Sequence, residues 1–218
     1  MRNIILIAPQ AAGKGTQSAL IEEMYGIPHI STGDLLRAAR NKRTKTGRTI
    51  IKCQDEGLLV PQEIVNKVLE KRLMESDCKD GFILDGYPRN LMQANYLDEF
   101  LKKIKHEANY VIYLDVSKEE VLKRITGREM CEVCGANYNI NYPEQKPKKK
   151  GICDKCGGKL IQRSDDTEES IFNRLNIFYN DTLPLIEIYK KRKILHKVNG
   201  VDTVENVFKD IKNILGDK

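Results

Sequence analysis

Residues 8–16 of this 218-residue sequence, Ala-Pro-Gln-Ala-Ala-Gly-Lys-Gly-Thr, have the types and spacing needed to bind an anion. They follow an apolar run and precede a helical pattern. Backbone N–H groups at the start of a helix attract phosphate, and Lys14 adds a positive charge. The Thr16 hydroxyl suits Mg²⁺ or a phosphate oxygen. The segment predicts a Walker-type phosphate loop, with an ordinary turn between a strand and a helix as the alternative.

The loop departs from the usual glycine pattern, because alanine occupies positions 8 and 11. Alanine seldom adopts the left-handed conformation that glycine adopts freely. We therefore expect a loop with fewer residues of positive φ, which affects only its fine geometry.

Four of the six cysteines form two Cys-x-x-Cys pairs with 18 residues between them. Each pair is followed by a glycine, and the spacing is typical of a zinc ribbon. Four thiolates complete a tetrahedral sphere, so the pattern predicts a structural Zn²⁺ and disfavours disulfides. The four ligands would be Cys131, Cys134, Cys153 and Cys156. Cys53 and Cys78 stand apart, and we expect them to be passive thiols.

Asp85 ends another apolar run, residues 81–85. A carboxylate at the carboxyl end of a parallel strand, near a phosphate loop, is well placed to organise hydrated Mg²⁺. Capping of a helix is the alternative role for such an aspartate. The guanidinium of Arg89, which can form two hydrogen bonds to one anion, would point into the same crevice. This favours the magnesium interpretation of Asp85.

The elements that position these residues alternate between strand and helix. Apolar runs predict strands at 3–8, 81–85, 110–115 and 194–198. Helical patterns run to Tyr25 and over 91–103 and 118–126, and a last helix begins at Asp202 with Glu205 completing a capping box. This alternation predicts an α/β fold with a doubly wound parallel sheet.

Two stretches interrupt the alternation. Residues 31–60 are polar, helical by propensity and give no strand, whereas 128–162 are rich in Cys, Gly, Pro and Lys and lack a helical period. We interpret both as inserts on one core. Residues 166–190 return to helical spacing, with a break expected at Pro184.

The composition of the chain limits the classes of protein to which it can belong. Lys+Arg 37 against Asp+Glu 31 gives a net charge of +6, which suits an anionic ligand or nucleic acid. The apolar run 4–8 is too short for a signal peptide, and no run approaches the ~20 residues of a membrane span. We therefore expect a cytoplasmic protein. The lysine-rich stretch 146–150 has no accompanying aromatic row, which favours a solvated tip over a nucleic-acid contact.

The whole sequence resembles the bacterial-type adenylate kinases with a zinc-binding lid. The likeness is carried by 13–17 (GKGTQ), 31–37 (STGDLLR), 85–89 (DGYPR) with Gln93, Arg124 with Arg128, and 163–166 (RSDD) with Arg174. The resemblance implies a P-loop NTPase-like core of residues 1–30, 61–127 and 164–218. It also implies an AMP-binding helical insert at 31–60 and a zinc-binding lid at 128–163.

The resemblance further implies a monomer, without nucleic-acid or membrane partners, that transfers a phosphoryl group from Mg-ATP to AMP and serves adenine nucleotide homeostasis. ATP, or ADP in reverse, would contact Ala11, Ala12, Gly13, Lys14, Gly15, Thr16, Arg124, Arg128, Asn137, Tyr138 and Asp202. AMP would contact Thr32, Arg37, Leu58, Leu59, Val60, Gly86, Tyr87, Pro88, Arg89, Gln93, Arg163 and Arg174. The catalytic set would be Lys14, Arg37, Arg89, Arg124, Arg163 and Arg174, with Asp85.

These cations agree with phosphoryl transfer, whose loose transition state spreads negative charge over the transferred group. A nucleotide phosphate is already a good nucleophile, so no general base is needed. We expect His29, His106 and His196 to have surface or packing roles. Arg124 and Arg128 are four residues apart, which predicts that they share one helical face.

Three alternatives differ in substrate or class. A pyrimidine (UMP or CMP) kinase would share the phosphate machinery, but the resemblance assigns Thr32 and Gln93 to AMP. A GTP-binding switch would carry an Asn-Lys-x-Asp motif, which the sequence lacks. A zinc-ribbon nucleic-acid binder would leave residues 85–89 without a role.

Overall fold

The structure, a computed structural model, describes residues 1–162 and 166–217. The strands are β1 (Arg2–Ile7), β2 (His29–Ser31), β3 (Gly81–Asp85), β4 (Tyr110–Asp115), β5 (Arg128–Cys131), β6 (Asn137–Asn139), β7 (Leu160–Ile161) and β8 (Leu195–Asn199). The α-helices are α1 (Lys14–Tyr25), α2 (Thr32–Ala38), α3 (Lys45–Asp55), α4 (Gln62–Leu73), α5 (Leu91–Lys103), α6 (Lys118–Thr126), α7 (Glu168–Ile177), α8 (Leu185–Lys191) and α9 (Val204–Leu215). None of these described helices is long and apolar enough to cross a membrane.

A five-stranded parallel sheet in the order β2-β3-β1-β4-β8 forms the centre of the molecule. In its middle strand, Ile5 pairs with Leu84 of β3 on one side and with Val111 of β4 on the other. Successive side chains of a strand point to opposite faces. Accordingly Ile5 belongs to one apolar cluster and Ile4 to another, and helices cover both faces. The predicted α/β fold with a parallel sheet is confirmed.

The sequence patterns located most core elements well. The bounds of β3, α5, β4 and α6 agree with the prediction, and β1 and β8 are each shifted by one residue. The predicted capping box of α9 is wrong. The Thr203 hydroxyl, and not Asp202, caps the helix by accepting a hydrogen bond from the Asn206 N–H. Asp202 lies one residue too early and instead accepts from the Thr203 N–H and the Asn206 amide.

The first insert differs from expectation in one respect. Ser31 is the last residue of the short edge strand β2, so the stretch 31–60 does contribute to the sheet. The Ser31 hydroxyl also caps α2 by accepting from the Asp34 N–H. Three residues are too few for a periodic pattern, which is why β2 was missed. The break at Pro184 is confirmed, because α7 runs into a π-helical turn and Pro184 caps α8.

The second insert contains a three-stranded antiparallel sheet in the order β6-β5-β7. Its apolar cluster contains only Cys131, Cys153 and Leu160 as buried members, as the composition of 128–162 led us to expect. The side-chain amides of Asn139 and Asn141 donate to carbonyls in the last turn of α6, at 2.9 and 2.8 Å. These bonds tie the small sheet to the main body.

Candidate functional site

A cleft of about 1220 Å³ lies at the carboxyl ends of the parallel strands. Residues of both inserts line it. Of the residues assigned above to ATP, AMP or catalysis, every one within the described part of the chain lines this cleft. Arg163 lies outside the described residues.

The phosphate loop contradicts the expectation about its backbone. Ala11 has a φ of 57° and Gly13 a φ of 95°, so alanine itself adopts the left-handed conformation. For a residue with a Cβ this conformation costs roughly 1 kcal/mol or more. A Cβ added at Gly13 or Gly15 would meet no atom within 4 Å, so the space above the loop is open.

The Lys14 side chain folds back over this loop. Its Nζ donates to the carbonyls of Ala8 and Pro9 at 3.0 and 2.9 Å. It also lies 4.0 Å from Oδ1 of Asp85, at the end of the neighbouring strand β3. The two segments predicted to carry the chemistry therefore meet in the cleft.

Asp85 is a carboxylate held ionised within the cleft. Burial raises its pKa, but the Lys14 ammonium and His29 outweigh that effect, so the pKa lies below its ordinary value. The Nε2 atom of His29 is 3.5 Å from Oδ2 of Asp85. His29 is thus a site residue and not the surface or packing residue expected from the sequence. It was missed because its strand, β2, was not predicted.

The other two histidines have the expected packing roles. His106 stacks on Phe82 and lies 3.4 Å from the Asn3 side chain. His196 packs against the ring of Tyr110.

The wall assigned to AMP is organised around residues 85–93. The Thr32 hydroxyl donates to the Asp85 carbonyl at 3.1 Å, and a Cβ at Gly86 would lie 2.8 Å from that hydroxyl oxygen. The Gln93 side chain accepts from the Arg89 N–H at 2.8 Å. Burial, together with the nearby Arg174, lowers the pKa of Arg89.

Tyr87 lines the cleft and also belongs to a buried apolar cluster. Its side chain is only 1% exposed and donates a hydrogen bond to the Asn66 side chain at 2.8 Å. Leu58 and Val60 both line the cleft, Leu58 as an exposed residue and Val60 as a buried one. Arg37 forms an ion pair with Asp34.

Arg124 and Arg128 line the cleft, but not as neighbours on one helical face. Helix α6 ends at Thr126, and Arg128 begins β5, so the predicted i, i+4 relationship is wrong. Arg124 donates to Glu120 at 2.8 Å and to the Gly200 carbonyl at 2.9 Å. Tyr142 donates to the same Glu120 oxygen at 2.6 Å.

Asp166 connects two of the predicted arginines. Its fully buried carboxylate accepts three hydrogen bonds from Arg128, at 2.5, 2.6 and 3.0 Å, and lies 3.5 Å from Arg174. Arg174 also donates to the Gln54 carbonyl at 3.0 Å. No role was predicted for Glu120 or Asp166. The spacing of Glu120 four residues before Arg124 is a usable signal, but no local pattern links Asp166 to Arg128.

The four predicted metal ligands converge in the second insert. Their sulfur atoms all lie within 4.8 Å of one another, with 3.5 Å between Cys131 and Cys156 and 3.6 Å between Cys134 and Cys153. A tetrahedral zinc site with Zn–S bonds of about 2.3 Å needs sulfur atoms roughly 3.8 Å apart. All four thiols are free. The donor set therefore fits a closed zinc site.

The backbone around these thiols is also shaped to hold them. Gly135 and Gly157, at φ 71° and 73°, donate their N–H groups to the carbonyls of Cys131 and Cys153. A Cβ on Gly158 would lie 2.9 Å from the Cys131 sulfur, so that position has no room for a side chain.

Comparison with known proteins gives one consistent result. The family model described as adenylate kinase matches residues 6–194. The adenylate kinase of Clostridium tetani is 46% identical over 214 residues, covering 98% of both chains. That of Caldanaerobacter subterraneus subsp. tengcongensis is 47% identical over 216 residues, 99% of this chain and 97% of its own. That of Archaeoglobus fulgidus is 47% identical over 213 residues, 98% of this chain and 97% of its own.

Proposed function

The chain belongs to the adenylate kinase family, and we propose how its cleft performs the reversible transfer of a phosphoryl group from Mg-ATP to AMP. The relatives' names favour this activity over that of a pyrimidine nucleotide kinase. The observation that supports the assignment of residues is the convergence of the predicted cationic side chains on one cleft. They are six of the predicted cations, namely Lys14, Arg37, Arg89, Arg124, Arg128 and Arg174.

We assign ATP to the phosphate loop and to the wall formed by the second insert. The N–H groups of residues 11–16 would surround the phosphates, and Lys14 would exchange its bonds to the Ala8 and Pro9 carbonyls for phosphate oxygens. Arg124, Arg128 and the pair Asn137 and Tyr138 would contact the nucleotide from the lid. The backbone near Asp202 would lie at the adenine.

We assign AMP to the wall formed by the first insert. Thr32 and Gln93 are both nearly inaccessible polar side chains, which suits them to reading the edge of a base. Arg37 and Arg89 would hold the AMP phosphate, and residues 58–60 and 86–88 would enclose the nucleoside through their backbone. Arg163 and Arg174 would bind the phosphates between the two nucleotides.

The proposed chemistry is electrostatic. The attacking oxygen of AMP and the transferred group are anionic, so approach is unfavourable unless fixed cations compensate the charge. The arginines are held in place before the substrates arrive, Arg124 by Glu120 and Arg128 by Asp166. Donors fixed in advance lower the barrier because little reorganisation is needed when charge develops.

Two metals belong to this proposal. Mg²⁺ would neutralise charge on the ATP phosphates, and Asp85 would hold its hydration shell from the end of β3. Zn²⁺ bound by Cys131, Cys134, Cys153 and Cys156 would have a structural role, because four thiolates leave no open coordination position.

The remaining parts of the proposal concern organisation. We propose that 31–60 and 128–163 close over the core formed by residues 1–30, 61–127 and 164–218. Closure would exclude water from the phosphates, since water would otherwise compete with AMP as the acceptor. We also propose that the protein acts as a cytoplasmic monomer on free nucleotides, without nucleic-acid or membrane partners.

The test is a phosphoryl-transfer assay with Mg-ATP as donor and AMP, CMP, UMP or GMP as acceptor. Buried polar groups that read a base should favour AMP in kcat/KM by ~100-fold or more. Assays without acceptor provide the control for ATP hydrolysis. Comparable turnover of CMP or UMP would contradict the assignment of Thr32 and Gln93.

A further inference from the structure

Tyr138 lies at the junction of the zinc site and the cleft. It is the middle residue of β6, and its half-buried side chain lines the cleft. Its hydroxyl oxygen is 2.7 Å from the Asp154 nitrogen and 3.5 Å from the Cys153 sulfur. One phenol group therefore contacts both a metal-ligand residue and the residue that follows it.

The direction of these two hydrogen bonds follows from their chemistry. The Asp154 N–H is a donor, so the phenol oxygen must accept from it. The phenol proton is then directed toward Cys153. A zinc-bound thiolate carries no proton and can only accept, so the O–H group would donate to the sulfur.

We propose that Tyr138 is a positioning residue of the zinc site, whose hydroxyl holds the Cys153 thiolate by a hydrogen bond and thereby increases the retention of zinc. This inference rests on the proposed structural zinc. The Cys153 side chain is buried, at 2% exposure, so its partial negative charge gains little from solvent. A directed O–H donor compensates for part of that missing solvation.

The same bond connects the metal to the wall of the cleft. The ring of Tyr138 lies against the nucleotide space, whereas its hydroxyl is fixed by the segment 153–154. Loss of the metal would release this segment and with it the hydroxyl end of Tyr138. Nucleotide binding would then have to order the side chain as well.

The test compares two phenylalanine variants of the full-length, zinc-loaded protein. Y138F removes the hydroxyl next to Cys153 and keeps the ring. Y142F removes the other nearby lid hydroxyl, which donates to Glu120 and to none of the cysteines. Zinc affinity is measured by competition with a zinc-chelating dye, with zinc alone as the probe.

Y138F should bind zinc about tenfold more weakly than the wild type, the lower end of the range seen when a hydrogen-bond partner of a metal ligand is removed. Y142F should bind zinc as the wild type does. Equal zinc affinity in Y138F and the wild type would overturn the inference. A wild-type chain that takes up no zinc would overturn the metal site as well, which distinguishes the two failures.

A second measurement detects the hydrogen bond from Tyr138 to the Cys153 sulfur directly. Co²⁺ bound by four thiolates absorbs in the near ultraviolet by charge transfer from sulfur to metal. A hydrogen bond stabilises the sulfur lone pair, so its removal in Y138F should shift this band to longer wavelength at saturating Co²⁺. A spectrum identical to that of the wild type would contradict donation to Cys153, even if the lid of the variant were less stable.

Discussion

The Lys14 ammonium and the Asp85 carboxylate face each other across 4.0 Å, although 71 positions separate them in the chain. The parallel pairing of β1 with β3 brings them together, because it sets Leu6 opposite Asp85. The cation proposed to bind phosphate and the carboxylate proposed to hold hydrated magnesium thus lie next to each other at the edge of the sheet.

Removal of one fixed cation should impair catalysis without unfolding the protein. Lys14→Ala or Arg89→Ala should reduce kcat/KM by an amount equivalent to about 3 kcal/mol or more, the scale of one fixed electrostatic donor. Lys209→Ala, on the exposed side of α9, is the matched control. Steady-state kinetics and circular dichroism provide the measurement. A variant within about threefold of the wild type would exclude that residue from the site.

Asp85 should make stability depend on pH in the acidic range. Its pKa is lower in the folded protein than in the unfolded chain, whose ordinary value is ~4. The unfolded state therefore binds the proton more tightly, so the stabilisation is complete above about pH 4 and is lost as the pH falls through the folded value.

This dependence is measured by denaturant unfolding of the wild type and Asp85→Asn between about pH 6 and about pH 3. The stability of the wild type relative to the variant should decrease as the solution becomes more acidic. Contributions from groups that do not interact with Asp85 cancel in the difference. A difference that stayed constant over this range would contradict the lowered pKa.

The left-handed Ala11 makes glycine a stabilising substitution in the phosphate loop. Ala11→Gly relieves the clash of a Cβ at φ 57° and should raise the free energy of unfolding by roughly 0.5–1 kcal/mol, after the greater freedom of glycine in the unfolded chain is counted. Ala12→Gly should have the opposite sign and cost roughly 1–2 kcal/mol, since Ala12 is 3% exposed and its φ is not left-handed. Chemical denaturation of both variants checks the signs; equal signs would contradict this account.

Zinc should stabilise the lid and leave the core unaffected. The buried apolar cluster of the lid is too small to fold it alone, so zinc binding would supply much of its folding free energy. Forced chelation, or Cys153→Ser, should lower a lid transition in calorimetry, retain the core transition and weaken catalysis. Elemental analysis should find one zinc per chain before treatment. Metal-free protein with full activity and an unchanged melting profile would contradict this role.

Local patterns were sufficient for the core of the fold. The runs that became β3 and β4 are continuous and apolar because parallel strands are buried on both faces. The edge strand β2 has only three residues, which is too short for such a signal. The positive φ of Ala11 was also not predictable, since propensity favours a right-handed alanine and the loop overrides it.

In the site, the sequence motifs identified residues that line one cleft. They did not identify the hydrogen-bond and ion-pair partners that position those residues. The partner of Arg128 is Asp166, 38 positions away, and only the three-dimensional fold brings the two together. His29 reaches Asp85 through the pairing of β2 with β3. The role of each residue toward ATP or AMP, and the bounds of the three domains, stay predictions.

The exposed lysine-rich stretch 146–150 of the lid lies between the two Cys-x-x-Cys pairs, so two of the four thiolates precede it in the chain and two follow it. A break in the chain before Lys148 would leave Cys131 and Cys134 on one piece and Cys153 and Cys156 on the other. The second piece would still add β7 to β5 and β8 to β4, and Lys148 would keep its bond to Asp154 on the same piece. Reassembly of the two pieces would then depend on zinc. The activity of a two-piece enzyme divided at this stretch would therefore report the concentration of available zinc.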